Sequence, residues 1–244
     1  MDATALAEAM PDLSLARAKE LADGCNEAML QADITTLKRA AMFLAQIGHE
    51  SISLKVKEEI GHGAGRRYVP YYGRGFIQLT WKSNYQKFGE WCKTRKLVKD
   101  ASVFVTKPDL VTEDSWAWLS AVYFWSDHNL NSLAEGDDNV RRVTRVINGK
   151  KMLGLESRRQ RYERCLGLGD RILPQAKDWF DMATDADLER IFVKVLRQAV
   201  GPDDAKTPAG LYFGRVEKKL DKALAEQETL KHEVAKIKAK LGIP

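Results

Sequence analysis

Apolar residues recur at spacings of three and four along most of the N-terminal part of the chain, which is the period of amphipathic helices. The clearest stripe runs through residues 35–49, where Thr35 or Thr36 is the expected N-cap. Another helix is expected shortly after Pro11, with Asp12 as its N-cap. Further helices are predicted near residues 82–95, 114–126, 137–147 and 156–166. The pattern therefore predicts a mainly α-helical domain.

The character of the chain changes after Gly169, which divides it into residues 1–170 and residues 171–244. Through residues 213–241, apolar positions follow steps of three and four in turn, as in the heptad of a coiled coil. Lys and Glu flank this seam, and they favour self-association or docking on another helix over a long helix packed on its own domain. We therefore expect a separate helical C-terminal module that forms homo-oligomers or binds a partner.

A glycine-rich stretch interrupts the helical pattern at residues 61–75, where five glycines and one proline occur in fifteen residues. Such a composition stops helix propagation. The sequence predicts a loop with a small β-hairpin at this place.

The charge balance favours anionic partners, but only weakly. Lys and Arg number 39 and Asp and Glu 34 in 244 residues, so the net charge is +5. Nucleic acid, membrane surfaces and bacterial wall polymers are all anionic. The arginine-rich run at residues 141–164 alternates with apolar and acidic positions, which favours a solvated helix face over a nucleic-acid surface. Apolar runs are too short for a membrane span, so neither nucleic-acid binding nor stable membrane insertion is expected.

Cysteine and histidine spacing gives no sign of a metal or a cofactor. The three cysteines are far apart and form no C-x-x-C pair, and the four histidines lack ligand spacing. The first ten residues are acidic where a signal peptide needs a basic segment before an apolar one, so no signal peptide is expected.

The first candidate for chemistry is Glu50, in the string A-Q-I-G-H-E-S. It lies four residues after Gln46, on the same face of a helix that ends at a glycine-rich loop. The negative end of the helix dipole favours the protonated carboxyl, which is the form a general acid needs. A solvated Glu at a helix terminus is the alternative interpretation.

The second candidate is the pair Glu58-Glu59, across a predicted bend from Glu50. Two carboxylates on opposite sides of a cleft can act as acid and base in glycoside hydrolysis. Taken alone, a Glu pair between lysines is more typical of a solvated face.

The third candidate is the string Y-Y-G-R-G-F-I-Q-L-T-W-K-S-N-Y at residues 71–85. Gly73 and Gly75 permit a tight turn or the close approach of a polymer to the backbone. Neutral hydrogen-bonding side chains stand beside aromatic ones, a composition suited to sugar. They are Gln78, Thr80 and Asn84, and Tyr72, Trp81 and Tyr85.

Together these strings resemble glycoside hydrolase family 19, the family of chitinases and phage lysozymes. The resemblance depends on H-E-S at residues 49–51, on G-R-G-F-I-Q-L-T followed by N-Y, and on two later strings. These are A-V-Y-F-W with L-N-S-L-A-E at residues 121–135, and R-V-T-R-V-I-N-G with E-S-R-R-Q-R-Y at residues 142–162. Order and spacing agree over roughly residues 30–168, and the sequence is most similar to the endolysins of phages that infect actinobacteria.

The resemblance implies a role for each matched residue. Glu50 would be the general acid and Glu59 the general base, and Thr80 would hold the attacking water. The substrate-binding positions that it implies are His49, Gln78, Asn84, Tyr85, Asn148 and Arg158, of which the last two would line the cleft and orient the base. The loop after Glu59 is short for phage members, so Glu58 is an alternative base. Arg74 is expected to be a structural ion-pair partner.

The implied protein is a two-lobed, lysozyme-like helical enzyme that hydrolyses β-1,4 bonds of bacterial, in particular actinobacterial, peptidoglycan with inversion. It would wait in the host cytoplasm and then act at the cell wall, and the C-terminal module at residues 171–244 would bind that wall or form oligomers. Two alternatives stay open: a chitinase with the same machinery, and a non-catalytic protein that binds or assembles the wall through its C-terminal helix.

Overall fold

The computed structural model describes residues 1–175 of the chain, and these residues form nine α-helices and two 3-10 helices. The α-helices are α1 (Ala3–Ala9), α2 (Leu15–Gln31), α3 (Leu37–Glu50), α4 (Lys82–Thr94), α5 (Val103–Thr106), α6 (Asp114–Asp127), α7 (Leu130–Glu135), α8 (Asn139–Asn148) and α9 (Leu155–Gly167). The 3-10 helices are Pro108–Thr112 and Gly169–Ile172. The predicted mainly α-helical fold class is confirmed.

The chain divides into two units, residues 1–177 and 178–244. The first unit includes the 3-10 helix Gly169–Ile172, whose Ile172 is fully buried. The predicted heptad helix at residues 213–241 lies outside the described residues. Among residues 1–175, no helix is both long and apolar enough to cross a membrane.

The helix caps follow from side chains that accept hydrogen bonds from the first turn. The Thr36 hydroxyl accepts a bond from the backbone N–H of Arg39 at 3.3 Å, so Thr36 caps α3. The prediction of Asp12 as a cap was wrong. Asp12 has φ +64° in the preceding turn, and the extended residue Ser14 caps α2 by accepting a bond from the N–H of Arg17.

Helix α3 forms the centre of the core, because its residues 40–48 are all buried. Helix α9 packs along it, and α7 packs against another side. Gly48 allows this close packing, since a Cβ there would lie 2.9 Å from the Met10 sulfur and 3.0 Å from Nη1 of Arg161. The packing fixes the C-terminal end of α3, where Glu50 lies.

Helix α6 forms the second half of the core together with α2. A Cβ on Gly24 of α2 would lie 2.8 Å from the Trp118 indole, so the two helices meet where α2 has no side chain. Trp125 of α6 packs edge-on against Phe43 of α3, with ring centroids 5.1 Å apart. These contacts join α6 to the central helix.

Residues 51–81 contain no helix and only isolated β-bridges, Glu58 to Arg74 and Arg74 to Leu79. This is the small β element that the glycine-rich sequence predicts. Backbone bonds hold it together: Glu59 N–H donates to the Gly73 carbonyl at 2.8 Å, and Gly75 N–H donates to the Lys57 carbonyl at 2.9 Å.

Arg74 anchors this segment from inside. Its side chain is 2% exposed, and its guanidinium donates to Asp109 Oδ1 at 2.7 Å, to the Tyr85 hydroxyl at 3.1 Å and to the Pro70 carbonyl at 3.0 Å. Its Nε also lies 3.9 Å from a Glu58 oxygen. The expectation that Arg74 is a structural ion-pair partner is confirmed.

Candidate active site

A cleft of about 920 Å³ opens between the end of α3 and the irregular segment at residues 51–81, with walls completed by the ends of α6 and α8. Three carboxylates line it, those of Glu50, Glu58 and Glu59. The sequence-predicted residues Gln78, Thr80, Asn84 and Asn148 line it as well. The fold thus brings together residues that are almost a hundred positions apart in sequence.

Glu50 is held by a buried network at the C-terminal end of α3. Its Oε1 accepts a hydrogen bond from Nη2 of Arg158, which is fully buried, while the Glu50 side chain keeps 15% of its surface exposed to the cleft. Arg158 also donates through Nη1 to Gln46 Oε1 at 2.5 Å. Gln46 in turn donates to the Thr144 hydroxyl of α8 at 3.3 Å. Three helices therefore fix one oxygen of this carboxylate.

The resemblance implied that Arg158 lines the cleft and orients the base. In the structure its side chain is fully buried behind the cleft wall. Arg158 lies on α9 and bonds Glu50, the implied acid. The reason is the packing of α9 along α3, which brings Arg158 against the Gln46–Glu50 face of α3.

His49 turns to α9 instead of the cleft. Its Nδ1 lies 3.0 Å from the Ser157 hydroxyl, and a Cβ on Gly154 would collide with its ring. Burial, with the positive charges of Arg158 and Arg161, lowers the pKa of His49 to about 4. His49 is therefore neutral at neutral pH and supports the end of α3 without lining the cleft.

Glu59 is held by two neutral donors on the irregular segment. The Tyr68 hydroxyl donates to Oε1 at 2.6 Å, and the backbone N–H of Gly73 donates to Oε2 at 3.1 Å. The hydrogen bond to Glu59 is the main cause that raises the pKa of the Tyr68 hydroxyl. Both oxygens of Glu59 are thus oriented without a positive partner among the described residues.

Glu58 has a different environment. One oxygen lies 3.9 Å from Arg74 Nε and the other 3.6 Å from His62 Nε2, and the side chain is 40% exposed. Glu58 therefore takes part in the Arg74 anchor, while Glu59 has neutral donors. This difference favours Glu59 over the alternative base Glu58.

Three polar residues predicted to bind sugar form a chain of local bonds on one wall. Thr80 donates to the Gln78 carbonyl at 2.8 Å, Asn84 donates to the Thr80 carbonyl at 2.8 Å, and Gln78 donates to the Gly75 carbonyl at 3.1 Å. A Cβ on Gly73 would lie 2.7 Å from Gln78 Oε1 and 3.4 Å from the Thr80 hydroxyl. The absence of a side chain at Gly73 therefore keeps these groups next to the backbone that holds Glu59.

Tyr85, like His49 and Arg158, is a predicted substrate-binding residue that does not line the cleft. It is fully buried, and its hydroxyl donates to the Tyr72 carbonyl at 2.7 Å and accepts from Arg74. Burial raises the pKa of Tyr85 to about 12. The α4 helical period points Tyr85 into the core, whereas Asn84 and Trp81 line the cleft.

Asn148 ends α8 at the opposite wall, where its Oδ1 accepts a bond from the Leu153 N–H at 2.7 Å. Trp81 adds an aromatic face that is 51% exposed, next to the Tyr68 ring at 5.3 Å. Sequence reasoning missed several other lining residues: Ile52, Ile60, Tyr68, Phe124, His128 and Val146. Among these, Tyr68 had a detectable signal, an aromatic residue within the glycine-rich loop.

Among residues 1–175, no three His, Cys, Asp or Glu side chains are grouped as ligands for a metal ion. The three cysteines are buried free thiols, and burial raises the pKa of each.

Comparison with known proteins agrees with this architecture. No family model matches the chain. Two endochitinases of Arabidopsis thaliana are 37% identical over 131 residues and 35% identical over 133 residues, each over 49% of this chain. The chain spans less than half of the length of these relatives, 42% and 43%. A solved bacterial family 19 chitinase superposes with a TM-score of 0.51 at 23% identity, covering 72% of this chain and 97% of that structure. The chain therefore has the family 19 chitinase fold.

Proposed function

We propose that the chain is a glycoside hydrolase that cleaves β-1,4 bonds in a polymer of N-acetylated hexosamines. The observation that carries the proposal is that Glu50 and Glu59 line one cleft and that donors of this chain orient each carboxyl group there. The similarity to endochitinases and the family 19 fold support the same class of reaction.

In the proposed mechanism, Glu50 donates its proton to the glycosidic oxygen. Arg158 then stabilises the carboxylate that this transfer leaves, because its guanidinium already bonds Oε1. Glu59 accepts a proton from water that attacks the opposite face of the sugar, and the configuration at the anomeric carbon inverts. Thr80 would orient that water, since its hydroxyl borders the Gly73 backbone that binds Glu59.

Bacterial peptidoglycan is the substrate that we propose, in the role of an endolysin that acts on an actinobacterial wall after release from the host cytoplasm. Support comes from two basic pairs beside the cleft. Arg66-Arg67 precede the lining residue Tyr68, and Lys150-Lys151 follow the lining residue Gly149. All four basic side chains are exposed and form no ion pair with residues 1–175. Peptidoglycan has carboxylates on its peptides, which these pairs would attract, whereas chitin is neutral.

Chitin is the second candidate, because the named relatives are endochitinases. A third candidate is a wall-binding protein without catalysis, in which the predicted heptad helix at residues 213–241 is the active element. We keep wall binding or oligomerisation as the proposed role of the C-terminal module.

The test compares wild type, Glu50→Gln and Glu59→Gln on permeabilised actinobacterial cells and on soluble chitin oligomers. Glu58→Gln is the matched control for the neighbouring carboxylate. We expect wild type and Glu58→Gln to clear cells, and both other variants to fail while they keep the wild-type circular dichroism spectrum. Activity on chitin alone would make the protein a chitinase. Wall binding without hydrolysis of either substrate would support the non-catalytic protein.

A further inference from the structure

We infer that Tyr68 is a positioning residue of the reaction, which sets the orientation of Glu59 through a hydrogen bond from its hydroxyl. The part of this inference that concerns catalysis rests on the proposed function. Its structural basis is independent of substrate, because it concerns one bond between two side chains of this chain.

The backbone of Glu59 is already fixed without Tyr68. Glu59 N–H donates to the Gly73 carbonyl at 2.8 Å, and Gly73 N–H returns a bond to Oε2 at 3.1 Å. These two bonds give Oε1 no donor, so the plane of the carboxylate can still turn about the Oε2 contact. The Tyr68 hydroxyl lies 2.6 Å from Oε1, so it completes the orientation of the carboxylate. Each carboxylate oxygen has two lone pairs, so Oε1 still can accept a proton from water.

The loop is built to keep the Tyr68 ring in this place. Gly63 has φ +65°, and a Cβ there would lie 2.6 Å from Cε2 of the Tyr68 ring. On its other side, the ring packs edge-on against Trp81 with centroids 5.3 Å apart. The positive charge of Arg66 also acts on the Tyr68 hydroxyl, where it opposes the effect of Glu59.

The kinetic test compares Tyr68→Phe with Tyr71→Phe on purified peptidoglycan and on chitin oligomers, in the full chain. Tyr71 is the matched control, because its hydroxyl in the same loop donates to the Val105 carbonyl at 3.2 Å and does not line the cleft. We expect Tyr68→Phe to lower kcat about tenfold and to leave KM within about twofold of the wild-type value. The loss of one hydrogen bond to a charged group corresponds to about a tenfold change in rate. Tyr71→Phe should retain activity. Equal losses in both variants, or none in Tyr68→Phe, would overturn the inference.

A second pair of variants tests the support of the ring. Gly63→Ala should reproduce the kcat loss, because the new methyl group displaces the Tyr68 ring. Gly65→Ala is the control, since Gly65 has φ +73° but a Cβ there would meet no atom within 4 Å. If both alanine variants lose the same activity, backbone strain in the loop explains the effect and the inference fails.

A titration tests the bond without any substrate. The absorbance difference between wild type and Tyr68→Phe isolates the ionisation of the Tyr68 hydroxyl. The same difference measured in the Glu59→Gln background should move to lower pH, because the carboxylate that disfavours the phenolate is gone, while Glu58→Gln should leave it in place. An unmoved titration in Glu59→Gln overturns the inference. If wild type hydrolyses neither polymer, the proposed function and the positioning role both fail, and the titration still decides whether the bond exists.

Discussion

Replacement of Arg158 by Met is the sharpest test of how the fold holds Glu50. Met is apolar and of similar length, so it fills much of the volume and leaves Glu50 and Gln46 without their donor. Removal of one partner from a buried ion pair costs about 3–5 kcal/mol. Glu50 keeps 15% exposure to the cleft, where water relieves part of this cost, so we assign about 2–3 kcal/mol to it. The fully buried Gln46 amide loses one hydrogen bond, which adds about 1–2 kcal/mol.

The expected loss in free energy of unfolding is therefore about 3–5 kcal/mol, or about 2 M in the urea midpoint for a typical slope of about 2 kcal/mol per M. Tryptophan fluorescence is the suitable probe, because Trp81, Trp91, Trp116, Trp118 and Trp125 all lie in the described unit. The transition should be followed in parallel by circular dichroism.

Arg159→Met is the matched control, because Arg159 neighbours Arg158 on α9 but is 46% exposed and pairs with Glu156 at 3.1 Å. An exposed ion pair of this kind contributes about 0–1 kcal/mol. The added change Glu50→Gln should restore about 1–2 kcal/mol to Arg158→Met, since a neutral amide is less costly without a cation. If Arg158→Met lies within about 1 kcal/mol of Arg159→Met, the buried network does not have the role that we assign to it.

Three further predictions concern His49, Gly154 beside it, and Trp81 on the opposite side of the cleft. The pKa of His49 is lowered to about 4, below the ordinary value of about 6.5, so the unfolded chain gains the proton first as the pH falls. The stability that neutral His49 contributes is fully present above about pH 6.5 and is lost as the pH falls towards 4. In His49→Gln the urea midpoint should therefore fall less between pH 6.5 and pH 4, and a pH dependence equal to that of the wild type would contradict this. Gly154→Ala should lower the thermal midpoint more than Gly169→Ala. Both glycines have positive φ, but only at Gly154 would the added Cβ collide with the His49 ring. Trp81→Ala should raise KM without a change in the unfolding midpoint, because Trp81 is 51% exposed in the cleft, and a pure stability loss would refute its role in binding.

The sequence predicts the long helices well because their apolar period is strong. The helices expected near residues 82–95, 114–126 and 156–166 correspond to Lys82–Thr94, Asp114–Asp127 and Leu155–Gly167. Helices α1, α5 and α7 were missed, because they have seven, four and six residues and thus too few turns for a period to emerge. Asp12 failed as a cap because composition alone does not reveal which of two nearby polar residues has the extended backbone.

In the candidate site, too, the sequence predicts what lies within one helix but not what depends on the packing of distant segments. The position of Gln46 and Glu50 on one helical face could be read from their spacing of four residues. Their shared partner Arg158 lies 108 residues after Glu50, and only the packing of α9 on α3 reveals which carboxylate it binds. Tyr68 was missed because an irregular loop has no period from which the direction of a side chain can be derived.

The carboxylates of Glu50 and Glu59 lie in parts of the molecule that differ in the free energy of local unfolding. Glu50 is the last residue of α3, whose residues 40–48 are buried, and its carboxylate bonds the buried Arg158, so we expect it to keep its place until the core unfolds. Glu59 depends on backbone bonds of a segment without regular structure, which can open at lower free energy. We therefore expect hydrogen exchange at Glu59 and Gly73 to be faster than in α3. As temperature rises, the cleft would lose its second carboxylate while the helical core is still folded, so heat inactivation should begin below the unfolding midpoint and reverse on cooling.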